Sequence, residues 1–179
     1  MGRKESKIQR WASCSLGIIF FALSSQYSIS SPIDHHQERF EDVALKIWEY
    51  AELGYLEEKS SSLLQQELKD SGFTIQSGVA GIPTAFIAEY NNGGPVLGIL
   101  GEFDALPGLS QQNVPFKTAE GLSSANGHAC GHHLFGAASA WAVVAIKDWL
   151  QESGTPGTIR FYGTPAEEGG SGKVYIARD

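Results

Sequence analysis

Between Gly127 and Gly136 the chain reads Gly-His-Ala-Cys-Gly-His-His-Leu-Phe-Gly, and no other stretch limits its possible folds so tightly. Three histidines and one of the two cysteines fall within six residues, among glycines that let the backbone bend. If the segment is extended, alternate side chains share a face, so His128, Cys130 and His132 project together and His133 the other way. A thiolate and an imidazole at that spacing can hold one metal ion or bracket two. The plain alternative is a glycine-rich turn with an incidental buried thiol. A second cluster weighs against it: Gly163-Thr-Pro-Ala-Glu-Glu-Gly-Gly-Ser-Gly172 sets Glu167 and Glu168 side by side in another glycine-rich loop. The two clusters together point to a metal-dependent hydrolase.

The periodicity around them predicts an α/β layered domain. Phe40, Val43, Ala44, Ile47, Trp48 and Ala51 recur at helical spacing within 33–53, with Gly54 expected to stop that helix. His35 and His36 fall in its polar first turn and read as solvated. A second amphipathic helix is expected over 57–70, with Leu63, Leu64 and Leu68 inward and Gly72 closing it. The period then shortens. Residues 73–76 and 84–90 read as strands, Asn91-Asn-Gly-Gly94 as the turn of a hairpin, and 95–101 as a buried strand. An alanine-rich buried helix is expected over 134–150 and a further strand over 158–162. No internal repeat, low-complexity tract or linker interrupts this.

A third loop joins the other two, because the strand ending at Gly101 runs into Glu102-Phe-Asp104-Ala-Leu-Pro107. Open α/β sheets collect functional groups where strands deliver their carboxyl ends. Three such ends would carry Glu102 with Asp104, Cys130 with His132, and Glu167 with Glu168. Carboxylate, imidazole and thiolate together suit a transition metal of zinc, cobalt or manganese type. Adjacent glutamates on irregular backbone point in different directions, so one can bind metal while its neighbour takes a proton from water and passes it to a leaving nitrogen. A solvated acidic turn is the bland reading of the same pair.

Charge and the first thirty residues bound the rest. Arg3, Lys4, Lys7 and Arg10 precede an uncharged apolar run, Trp11 to Leu23, followed by small residues. That layout predicts a signal peptide over residues 1–30, cut somewhere in 24–31, and hence export to a periplasm or the outside; without it the protein would be cytoplasmic. The apolar run is short for a membrane anchor, so no retained span is expected. Met1-Gly2 through Ser6 also fits a myristoylation pattern, which leaves the apolar run unexplained. Once Cys14 leaves with the signal, Cys130 is the single cysteine and no internal disulfide can form. From Trp11 onward 9 basic residues face 19 acidic ones, a balance that repels a phosphate backbone and argues against nucleic-acid binding.

In order and context, Gly98-Ile-Leu-Gly-Glu-Phe-Asp-Ala-Leu-Pro107, His128-Ala-Cys-Gly-His132 and Pro165-Ala-Glu-Glu-Gly-Gly170 resemble a dinuclear metallopeptidase family. That family holds aminoacylases, auxin-conjugate amidohydrolases and p-aminobenzoyl-glutamate hydrolases, and the resemblance is strongest to the branch of p-aminobenzoyl-glutamate hydrolase large subunits. It implies that 31–179 form the N-terminal part of a three-layer zinc-peptidase-like catalytic domain. It implies two divalent metal ions (zinc or manganese, with cobalt as an alternative), with Cys130 bridging them and His132 and Glu168 as further ligands. Glu167 becomes the general base and Asp104 the acid that orients the cluster. The substrate class implied is an N-acyl amino acid or a p-aminobenzoyl-glutamate-like conjugate, cleaved at its amide by a metal-activated water. His128 is not a ligand in similar proteins, although the alternating-face pattern includes it. Glu102 stands where some relatives have histidine, and His133 where many have aspartate. Similar enzymes draw two more histidine ligands from later sequence, and an inserted lid makes their dimer. With 11 residues after Glu168, the chain is expected to be a truncated part without the lid and of little activity alone, the full-length form being a homodimer or hetero-oligomer.

Other classes fit less well. Gly169-Gly-Ser-Gly-Lys173 lacks the residues of a phosphate loop, since Glu167 and Val174 stand where glycine and Ser/Thr are needed. Ser171 is not in a nucleophile elbow. A Cys130 nucleophile with a histidine base, and an exported binding domain without chemistry, are the two alternatives retained.

Overall fold

The computed structural model describes residues 34–116 and 125–179. The expected export segment lies outside the described residues. Helices α1 (Gln37–Tyr50), α2 (Glu58–Asp70) and α3 (His132–Ser153) pack on one face of a four-stranded sheet. Its strands are β1 (Thr74–Ser77), β2 (Phe86–Asn91), β3 (Val96–Gly101) and β4 (Thr158–Gly163), in the order β1-β2-β4-β3. β3 runs parallel to β4 and the other pairs are antiparallel. Toward the opposite face Ile87 packs in a small cluster with Val79, Ile82, Ala85 and Ile176 of the short α4 (Gly172–Arg178), where the third layer begins. No described helix is long and apolar enough to cross a membrane.

Strand alternation explains the core. Phe86 and Ala88 of β2 and Ile159 and Phe161 of β4 all point at the helices, meeting Phe40, Val43, Ile47, Leu64, Leu68, Val143 and Val144. The Phe86 ring lies 5.6 Å from that of Phe161 and 6.3 Å from that of Phe103. Across the sheet's other face Glu89 and Arg160, directly paired in the register, form an ion pair.

Four expectations change. First, Asn91 to Pro95 close no hairpin, because β4 enters between β2 and β3. The turn steps over the start of β4 instead: Thr158 N–H donates to Pro95 O at 2.9 Å and Asn92 N–H to Gly157 O at 3.1 Å. Gly94, at φ 70°, passes so close that a Cβ would lie 2.6 Å from Pro156 O. Second, β3 is not a buried strand. It is an edge of the described sheet, with Val96 56%, Leu97 53% and Leu100 44% exposed. Third, α1 ends at Tyr50, where Ala51 turns left-handed (φ 42°) and its N–H reaches Ile47 O. Gly54 serves a close approach rather than a cap, since a Cβ there would sit 2.9 Å from Ala166 Cα. Fourth, His36 is not simply solvated: its Nε2 lies 2.9 Å from Asp148 Oδ2 on α3, while His35 is exposed. Burial would raise the Asp148 pKa, but hydrogen bonds from Lys147 and His36 outweigh it and hold the carboxyl below its usual range.

Gly163 sits opposite Phe86, and a Cβ on it would overlap that fully buried ring. The Gly163→Ala variant should therefore lose about 2 to 3 kcal/mol of stability, as overpacked cores do. Denaturant unfolding measures this; an unchanged midpoint would show that the ring can yield.

Candidate metal centre

Three connections converge beyond the carboxyl ends of β3 and β4 and the start of α3, and hydrogen bonds stitch them together. Thr164 N–H and Oγ1 both donate to Gly101 O, at 2.9 and 3.1 Å, tying the glutamate loop to the end of β3. Leu106 and Gly127 exchange backbone hydrogen bonds at 3.0 Å, tying the Asp104 loop to the cysteine–histidine turn.

That turn is not extended. Gly131 N–H closes on His128 O at 3.1 Å, and Gly131, at φ 88°, caps α3, which begins at His132 itself. The alternating-face pattern therefore fails, and His128 and Cys130 part. His128 is 2% exposed and tucks against α1, its Nε2 3.0 Å from Ile47 O. Its ring lies 5.1 Å from that of His133, tilted by 49°. Burial pushes both imidazoles down, His133 to about 4 with help from the neighbouring His128 and His132, so both stay neutral at ordinary pH. His128 joins no donor set among the described residues.

His132 stands at the middle. Its Nδ1 lies 2.9 Å from Asp104 Oδ1 and its Nε2 2.8 Å from Glu102 Oε2. Burial disfavours its charge, but the Asp104 hydrogen bond and the charges of Asp104, Glu102 and Glu168 outweigh that and raise its pKa. Asp104 is 1% exposed and also accepts Glu168 N–H on Oδ2 at 2.9 Å. Burial works against its charge too, and the hydrogen bonds from His132 and the Glu168 amide still hold it below the usual carboxylate range. Asp104 thus orients both the imidazole and the glutamate loop.

Two donor sets result. Donor atoms of Cys130, His132 and Glu168 lie within 4.8 Å of one another, and so do those of Glu102, His132 and Glu167. Ligands on one ion at about 2.0 to 2.3 Å stand a little closer than this, so either set closes on a cation by small side-chain movements. Glu168 Oε1 is buried without a hydrogen bond, an orphaned acceptor of the kind a cation satisfies. The Glu168 carboxylate beside it, then burial and the charges of Glu167 and Glu102, push the Cys130 thiol up. Such a crowd of anions around one thiol is the reverse of what activates a cysteine nucleophile. It is what a divalent cation relieves, and thiolate, imidazole and carboxylates suit zinc, manganese or cobalt.

Several contributors escaped the sequence. Lys173 of α4 forms an ion pair with Glu102. Glu57 accepts Ala166 N–H at 2.8 Å and Tyr55 donates to Gly170 O. Asn126 Nδ2 donates to Ala51 O at 3.1 Å. None lies in a motif. Glu57 reads from sequence as an acid at a helix start, where solvent would be the default.

The model of peptidase family M20/M25/M40 matches residues 98–178. One of the subunits of the Escherichia coli p-aminobenzoyl-glutamate hydrolase is 44% identical over 151 residues, covering 84% of this chain and 31% of its own length. The Xaa-Arg dipeptidase of Homo sapiens is 33% identical, covering 79% and 32%. Among solved structures, the YxeP protein of Bacillus subtilis, a dinuclear metal-binding peptidase, superposes with a TM-score of 0.67 at 26% identity, covering 81% of this chain and 39% of that one. The chain spans about a third of the length of the curated relatives it matches.

Proposed function

The chain belongs to peptidase family M20/M25/M40, and from that premise we propose that the whole protein is a metal-dependent amidohydrolase acting on an N-acyl amino acid of the p-aminobenzoyl-glutamate kind. The observation that carries this reading is the meeting of Cys130 and His132, from one turn, with Glu168 from another, and with Glu167 beside them and open to solvent. The relative at 44% identity supports the substrate class.

Cys130, His132 and Glu168 would hold one cation, and a second would lie on the side of Glu102 and Glu167. Cations there would polarise the scissile carbonyl and make water acidic near neutral pH. Asp104 keeps His132 in one orientation and fixes the Glu168 backbone. Glu167, its side chain 41% exposed, is the group free to take a proton from the attacking water. As the water oxygen bonds to the carbonyl carbon and the C–N bond breaks, Glu167 hands that proton to the leaving nitrogen. Lys173 balances the charge of Glu102 and limits its pull on the second cation.

Further ligands would come from sequence beyond this part, so residues 31–179 alone would bind cations weakly and turn over little. The Escherichia coli relative is named as one subunit of its enzyme, which supports an assembly of more than one chain. The basic and then apolar residues 3–23 support export. The test is hydrolysis of p-aminobenzoyl-glutamate and of simple N-acyl amino acids by the complete protein. Activity should vanish with a chelator and return with zinc or manganese. Hydrolysis that survives chelation would replace this reading with a thiol mechanism.

A further inference from the structure

The connector 51–57, between α1 and α2, touches all three connections that build the metal centre, although it carries none of the donors. Ala105 N–H donates to Glu52 O at 2.8 Å, which holds the Asp104 loop. Ala51 O accepts from Asn126 beside the cysteine–histidine turn. Gly54 lets the chain pass against Ala166, and Tyr55 holds Gly170 O on the far side of the two glutamates.

Glu57 is the deepest of these groups. Its side chain is 0% exposed, a position at which a carboxylate is kept only when its oxygens are occupied. Oε2 accepts the Thr84 hydroxyl at 3.1 Å, and Oε1 accepts Ala166 N–H at 2.8 Å. Ala166 is itself fully buried and left-handed, at φ 56°, a conformation that is strained for a non-glycine residue and persists where the surroundings impose it. Two residues on, Glu168 N–H meets the second buried carboxylate, Asp104. The backbone of the glutamate pair is thus pinned on both sides by buried acids. The twist between the pins leaves Glu168 half-buried among Cys130 and His132 while Glu167 faces out.

We propose that Glu57 is a positioning residue for the metal centre: by accepting Ala166 N–H it holds the left-handed turn that aims Glu168 at the cysteine–histidine set and leaves Glu167 free. This rests on the metal-centre reading. Glu57 touches no donor atom of either set, so it acts by reach alone. A side chain of the same length that offers one acceptor oxygen should serve, and one shortened by a single methylene should not.

In a Cys14→Ala background, so that Cys130 is the single thiol, the experiment compares the parent chain with Glu57→Gln, Glu57→Asp and Glu57→Ala. Cadmium affinity is read from the absorption of the Cys130 thiolate bound to cadmium, the fold from thermal melting, and the Ala166 amide from hydrogen exchange. Glu57→Gln should bind cadmium within about threefold of the parent. Glu57→Asp and Glu57→Ala should bind about 10- to 100-fold more weakly in their folded fraction, the range for losing a group that orients a ligand. The Ala166 amide should be protected in the parent and in Glu57→Gln, and exposed in Glu57→Asp. A folded Glu57→Asp or Glu57→Ala chain that binds cadmium like the parent overturns the proposal. So does a parent Ala166 amide that exchanges as fast as an open loop, an outcome that holds even if the alanine variant does not fold. If the parent shows no cadmium–thiolate absorption, the metal-centre reading fails by itself, and amide exchange still judges Glu57.

Discussion

In a Cys14→Ala background, replacing Cys130 with alanine should abolish the cadmium–thiolate absorption of this chain and weaken its divalent-cation affinity about a hundredfold or more, without lowering its thermal midpoint. The size follows from sharing the about 10 to 16 kcal/mol of a four-ligand zinc site among its ligands, which leaves about 3 kcal/mol for each, or two decades in affinity. The unchanged stability follows from exposure: Cys130 lies on a surface turn, outside both hydrophobic clusters. The substitution also leaves His132, Glu168 and Asp104 where they are, because none of their mutual bonds passes through the thiol. Isothermal titration of both chains measures the affinities. Parental affinity in the Cys130→Ala chain would mean that the cation sits on carboxylates and imidazole alone, which would remove the thiolate from the proposed centre.

In the complete protein, Glu167→Gln should reduce turnover by about 10²- to 10⁴-fold, the usual worth of a positioned general base. Cation affinity should stay within a few-fold. Glutamine matches glutamate in size and half of its acceptor capacity, so the loop keeps its shape, but it cannot take a proton from water. The affinity decides between two roles. Glu167 also belongs to the set of Glu102 and His132, its Oε2 3.8 Å from His132 Nε2. If Glu167 is a ligand there, cation affinity falls together with turnover. If it is the base, only turnover falls.

The residues of the candidate centre were legible in the sequence because each stands at a strand's carboxyl end or a helix start within a glycine-rich turn. Cys130, His132, Asp104, Glu167 and Glu168 stand in such turns, and the structure brings them together. The helices were legible because their apolar spacing exceeds any local turn signal. Other features depend on partners distant in the chain. Asn91-Asn-Gly-Gly94 carries every local mark of a hairpin, yet β4 takes the place beside β2. The exposure of Leu97 and Leu100 follows from β3 standing at an edge, which apolar content does not encode. Gly54 and Ala51 show the ambiguity of glycine: it caps helices, but it also marks close approaches, and a capping turn can form on alanine. The three histidines near Cys130 were separated by a single turn that opens α3, and only His132 faces the carboxylates. Glu57 could not be read at all, since its partner lies 109 residues away.

The parallel pairing of β3 with β4 also governs when the centre can form. These strands lie about sixty residues apart in sequence with α3 between them, so their pairing is a long-range contact that is slow to form. Cys130 and Glu168 therefore come together only once that long-range pairing is made, and a cation meeting the nascent polypeptide finds the cysteine and its neighbouring histidines without the carboxylates. Loading has to follow collapse, so metal added during refolding should stabilise the finished domain without hastening its arrival.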